Sequence, residues 1–193
     1  MSFYLDVQTA TYTNIQETRQ QLNDLLYARW LQHDLYSPAW WFLFASMVTP
    51  YFIWWKLVDK SHFFELFSYG LLSGTVAVVL DIVGVNLLWW GYPVKLFYFF
   101  TPLLPADLGI IPVSSMLLYQ YCKSWYAFFL SVVIWASVFS FIVEPLFIHF
   151  GLFSMDHWKH IYSYMDFILF GMSIKLTFWL ICEQVKKKIG KTL

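Results

Sequence analysis

The chain has 193 residues, of which 60% are hydrophobic, 23% aromatic and only 12% charged, and twelve basic residues balance twelve acidic ones. A soluble domain carries about 25% charged residues, so this composition leaves too little polar surface to face water and places most of the chain in lipid. A net charge of zero without a broad basic face excludes nucleic acid as a partner.

Residues 1–37 form an N-terminal region in which 14–36 reads as an amphipathic helix. Asn14 and Glu17 stand at capping-box spacing, and Ile15, Leu22, Leu25, Leu26 and Trp30 recur at helical intervals with Arg19 and Arg29 on the other face. Such a helix either lies on the membrane surface or docks on the bundle. These opening residues lack the apolar core of a signal peptide, so the first span is expected to drive insertion.

Residues 38–183 read as a bundle of about five transmembrane helices, an all-α fold. From Ala39 to Trp55 there is no charge, and Lys56, Asp59 and Lys60 follow, which leaves about twenty residues to cross a core of about 30 Å. Pro50 is expected to bend this span, and the pairs Trp40-Trp41 and Trp54-Trp55 sit where interfacial aromatic belts belong. A second span runs from Phe63 to about Leu88 and contains Asp81; Trp89 to Pro93 ends it with turn residues. Residues 95–107 are apolar but broken by Pro102 and Pro105, and so predict a re-entrant or interfacial segment buried against protein. Leu108 to Cys122 gives a third span, Ser124 to Phe150 a fourth interrupted by Glu144 and Pro145, and Ile161 to Cys182 a fifth. Residues 184–193 form a basic tail.

With the N-terminus outside, the inner face receives Lys56, Lys60, Lys123 and the four tail lysines, while the outer face receives Arg19, Arg29, Lys95 and Lys159. The positive-inside rule therefore predicts a multi-pass cell-membrane protein with an external N-terminus and a cytoplasmic C-terminus. Under that topology Cys122 and Cys182 lie at cytoplasmic ends, where thiols stay reduced, and both read as structural.

The same topology brings Asp81, Glu144, Asp107 and Asp166 into the outer half. A charged side chain at membrane depth costs at least about 2.5 kcal/mol, so each is expected to face the bundle interior or a wet cavity with a partner. Convergence predicts an outward-opening acidic pocket; the alternative is that the four are helix-end groups near the headgroups. Asp107 and Asp166 stand at N-terminal turns and read as caps, which leaves Asp81 and Glu144, deeper in their spans, as the catalytic candidates. Trp90, Tyr92, Lys95, Asp107, Trp158 and Asp166 are the expected ligand-binding positions. Lys175 is nine residues after Asp166 and so on the opposite helix face; it must snorkel or find another acid. His157 and His160 are three apart, a spacing a metal could use, but without further ligands they read as solvated, and no metal or cofactor is expected.

Trp54 to Lys60, Asp81 to Gly84, Trp90-Gly91-Tyr92-Pro93, Leu104 to Leu108, Phe141 to Pro145 and Trp158-Lys159 together carry a resemblance. Over nearly all of residues 38–182 the chain resembles an uncharacterised family of small multi-pass membrane proteins from spore-forming bacteria, which implies a fold but no activity. Asp81, Trp90, Tyr92, Pro105 and Asp107 also resemble the pattern of the small membrane lycopene cyclases, which implies an isoprenoid substrate. The chain departs from those enzymes after Pro105, where Leu108 follows a single Asp107 in place of two adjacent glutamates.

No phosphate-cradling loop, nucleophile elbow or HExxH helix occurs, which leaves the common soluble enzyme classes unsupported. Three functions stay open: a site that binds or modifies an isoprenoid or other membrane lipid, a non-catalytic subunit or scaffold with a membrane protein partner or a second copy, and a proton- or cation-coupled carrier.

Overall fold

The computed structural model describes residues 11–189, and they are all-α apart from one pair of two-residue strands. Helix α1 (Tyr12–Arg29) opens earlier than expected, because the Thr11 side chain and not that of Asn14 is the cap: Thr11 Oγ1 accepts the Asn14 N–H at 3.3 Å. No side chain of α1 is buried, and the helix winds through a wide turn at Trp30–Asp34 before it ends.

Helix α2 (Pro38–Leu57) starts on Ser37, whose hydroxyl accepts the Trp40 N–H at 3.1 Å, with Pro38 in the first turn, where its missing N–H costs nothing. Helix α3 (Phe63–Asn86) ends as Leu88 adopts φ +56°. The N–H groups of Leu88 and Trp89 then reach back to the Val85 and Gly84 carbonyls at 3.1 and 3.0 Å, which satisfies the open helix end. Helix α4 (Ile111–Tyr121) is preceded by a wide turn at Pro105–Ile110, so Asp107 lies inside the helical segment and not in a loop before it. Helices α5 (Trp125–Val138) and α6 (Glu144–His149) run on through another wide turn, Phe139–Val143, so the chain bulges just ahead of Pro145 without breaking. Helix α7 (His160–Ile189) continues through Lys186 and Lys187, residues expected to belong to a separate tail; Lys191 lies outside the described residues.

Three helical stretches, Lys60–Asn86, Trp125–His149 and His160–Lys187, are long and apolar enough to cross a membrane, fewer than the five expected. The shortfall has a physical reason in each remaining segment. In α2 the four tryptophans, Pro38, Pro50 and Lys56 dilute the apolar residues of a 20-residue helix. The segment ending in α4 is a six-residue wide turn on an eleven-residue helix, too short at about 1.5 Å per residue to span about 30 Å untilted. Within the apolar windows of the three long stretches only 39%, 28% and 28% is buried in protein, so most of that apolar surface faces outward from the bundle.

The wide turn 105–110 is wedged between helices. A Cβ on Gly109 would stand 3.0 Å from the Met47 carbonyl oxygen, tighter than ordinary contact, so glycine eases this approach to α2. Pro112 has no N–H for the Leu108 carbonyl, and the Tyr51 hydroxyl of α2 donates to that carbonyl instead.

The main apolar core runs along α3, α4, α5 and α7 through Tyr69, Met116, Trp135 and Phe170. A smaller one, Leu43, Leu96, Leu103 and Leu152, lies under the connecting segments. Those segments gather at two ends of the bundle. At one end the Asp59 N–H donates to Gln120 Oε1 at 2.9 Å. At the other, β1 (Trp90–Gly91) pairs antiparallel with β2 (Ser154–Met155), and the indoles of Trp30 and Trp40 both donate to the Leu96 carbonyl at 3.2 and 3.0 Å. Lys175, expected to snorkel or meet an acid, meets no acid among the described residues: its Nζ donates to the Cys122 carbonyl at the end of α4 at 3.2 Å and lies 3.9 Å from the Phe128 ring centroid.

Candidate functional site

Asp81 sits one turn before the end of α3 and is 5% exposed. Its carboxylate is fully engaged by the segment that follows the helix. Trp90 Nε1 and the Tyr92 hydroxyl donate to Oδ1 at 2.5 and 2.7 Å, and the Leu103 N–H donates to Oδ2 at 2.8 Å. Three such hydrogen bonds from one carboxyl group tie residues 90–103 to the helix. The Trp90 indole reaches Asp81 by lying over Gly84, one turn on, where any side chain would collide with its ring.

Asp81 forms part of the wall of a cavity of about 140 Å³, open on one side. Asp107, Glu144 and Asp166 line the same cavity, as do Trp90, Tyr92 and Trp158. Of the positions singled out from the sequence, Lys95 alone lies elsewhere. It borders a much smaller space beside Tyr92, and its backbone N–H donates to Asp34 Oδ2 at 3.2 Å. Asp34 is buried, and that burial pushes its carboxyl up, against the lowering effect of the Lys95 N–H.

The carboxyls differ in what the protein gives them. Glu144, which opens α6, meets His160 Nδ1 at 2.8 Å, where α7 begins. Trp158 Nε1 donates to Ser163 Oγ at 3.0 Å, which places the indole between the loop and α7. Asp107, 5% exposed, stands within reach of Asp81, and its Oδ2 has no donor among the described residues. Asp166 makes no hydrogen bond or ion pair among the described residues. The two carboxyls read from sequence as caps are therefore the ones with spare acceptor capacity, and the two read as catalytic are held by protein donors.

The rest of the wall is aromatic and aliphatic. Phe153 stacks on Tyr92 with centroids 5.6 Å apart, Trp158 stacks on Trp89 at 4.8 Å, and Phe139, Phe167 and Phe170 close the floor. Among the residues lining the cavity there is no lysine or arginine. A cavity of about 150 Å³ lined by apolar groups admits a benzene-sized guest, which sets the scale of what enters here.

Sequence reasoning missed His160, Leu103 and Phe153. His160 had been paired with His157, but His157 turns its backbone N–H to the Trp89 carbonyl at 3.1 Å, and among the described residues no three His, Cys, Asp or Glu side chains gather to hold a metal. Leu103 contributes a backbone N–H, which no side-chain pattern reveals. No protein-family model, curated protein or solved structure matches the chain.

Proposed function

We propose that the cavity between α3, the wide turns 105–110 and 139–143, α6 and α7 lodges the apolar part of a membrane lipid, an isoprenoid or a similar chain, in an integral membrane protein that crosses the bilayer five times. The observation that carries this reading is the wall itself: a benzene-sized space of aromatic faces, opening from a helix bundle whose outer surface is apolar. Asp81 and Glu144 then act as positioning residues that hold the walls, and Asp107 and Asp166 meet the occupant. The likeness of Asp81, Trp90, Tyr92, Pro105 and Asp107 to the lycopene cyclase pattern supports the same class of guest. Residues 95–104 serve as the re-entrant segment beside the entrance.

The segregation of connecting segments supports five crossings. Residues 58–62 and 120–122 meet at one end, and residues 89–96 and 154–157 at the other, as alternate crossings require. The lysine balance then places the cavity on the outer side of the cell membrane. Single cysteines at Ser61 and Ser154, in a chain whose Cys122 and Cys182 are replaced, would label from opposite faces of intact cells; labelling from the same face would refute the topology.

Extraction of the purified protein followed by mass spectrometry tests the lipid reading. A chain-bearing lipid should be retained at a fixed ratio and lost in Ala77→Phe, which fills the cavity. Retention of none, together with unchanged cellular lipids in Asp81→Asn and Glu144→Gln, would remove the proposal.

A second reading, a non-catalytic subunit, has one observation in its favour. Leu22 and Leu25 of α1 are exposed, and among the described residues nothing buries that helix, which suits docking of a partner or a second copy. Co-purification of a stoichiometric partner that α1 deletion removes would favour it.

A further inference from the structure

We propose that the occupant of the cavity carries a cationic head, an amine or quaternary ammonium on a hydrocarbon chain, seated at Asp107 and Asp166. The inference rests on the lipid-site reading and adds the chemistry of the head to it. Asp107 Oδ2 is buried and faces no donor among the described residues, although it lies in a wall that supplies a donor to every oxygen of Asp81. Buried acceptors are rarely left this way unless something absent from the chain completes them.

The missing partner is best cationic on three grounds. Asp81 and Asp107 stand side by side, and two carboxylates in contact repel until a proton or a cation lies between them. Four acidic residues line the space with no lysine or arginine, and the imidazole at its rim, His160, is engaged with Glu144. An anionic head would find no cationic side chain in the lining to receive it. Finally, the rings of Trp90, Tyr92, Phe153, Trp158 and Phe167 line the space, and aromatic surroundings bind quaternary ammonium groups through ring quadrupoles while covering the attached chain. A hydroxyl head would satisfy Asp107 Oδ2 but would bring no positive charge to the adjoining acidic groups.

Three probes with one chain length and different heads separate the possibilities: hexyltrimethylammonium, hexanol and hexanoate, each added to the full-length protein in nanodiscs, with thermal unfolding and native mass spectrometry as readouts. The ammonium should bind about tenfold tighter than hexanol and raise the unfolding temperature, while hexanoate should not bind. Asp107→Asn and Asp166→Asn should each bring ammonium binding down toward that of hexanol and leave hexanol unchanged. Asp166→Asn removes no protein hydrogen bond and keeps the test independent of folding defects at position 107. Equal binding of ammonium and hexanol, or a preference that survives both substitutions, would overturn the cationic head and leave the lipid site standing. Binding of none of the three would overturn both.

Discussion

The indole of Trp90 fills the place that a side chain at position 84 would occupy, and from there its N–H reaches Asp81 at 2.5 Å. One turn of α3 thus supplies both a bare surface for the ring and the acceptor for its nitrogen. Gly84→Ala should expel the indole, break that bond and destabilise the protein by about 1–3 kcal/mol, as overpacking of a filled site does. Thermal unfolding in detergent measures it. Trp90→Ala in the Gly84→Ala background should cost much less than the sum of the single changes, because the collision is counted once. Additive losses would show that the two residues do not touch.

Asp81→Asn keeps the shape of the side chain but replaces one acceptor oxygen with an NH₂ group. Either the Leu103 N–H or the Trp90 and Tyr92 pair must then face a donor, at a cost of about 1–3 kcal/mol for the unsatisfied groups. Hydrogen exchange should rise across residues 89–104 and stay unchanged in the first half of α3. Unaltered protection of the Leu103 amide would contradict the arrangement.

Leu88 holds a left-handed conformation, φ +56°, at the end of α3, and its side chain is 68% exposed. The strain is local and no packing compensates for it, so Leu88→Gly should stabilise the protein by about 1 kcal/mol. The same geometry at the end of α6 is already met by glycine, Gly151 at φ +67°. A lower unfolding temperature in Leu88→Gly would refute the account.

The turn at the opposite end carries a pH signature. Ser61, through its hydroxyl and N–H, and His62 bond the exposed Asp59 carboxylate and hold its pKa at about 2, below its ordinary value of 3.8. Because the folded value is the lower one, the stabilisation of this turn is fully present above pH about 4 and is lost as the pH falls toward 2. NMR of the Ser61 amide across that window should show the bond released with a midpoint near 2 in the native chain. In Asp59→Asn the step should be absent.

The composition determined that long helices apolar enough to cross a membrane form, and the spacing of charges that Asp81, Asp107, Glu144 and Asp166 share one region. The second follows from the one-dimensional rise of helices of known length, so counting residues along each helix suffices to rank the position of an acid. Partners are another matter. Asp81 takes its donors from residues nine, eleven and twenty-two positions on, and Glu144 its imidazole sixteen positions on, all of them set by the path of the connecting segments. Only the tertiary structure decided that Asp81 is saturated while Asp107 keeps an open oxygen. Hydrogen-bond satisfaction is a property of three-dimensional neighbours, and no period in a sequence encodes which backbone N–H a folded loop will turn toward a carboxylate.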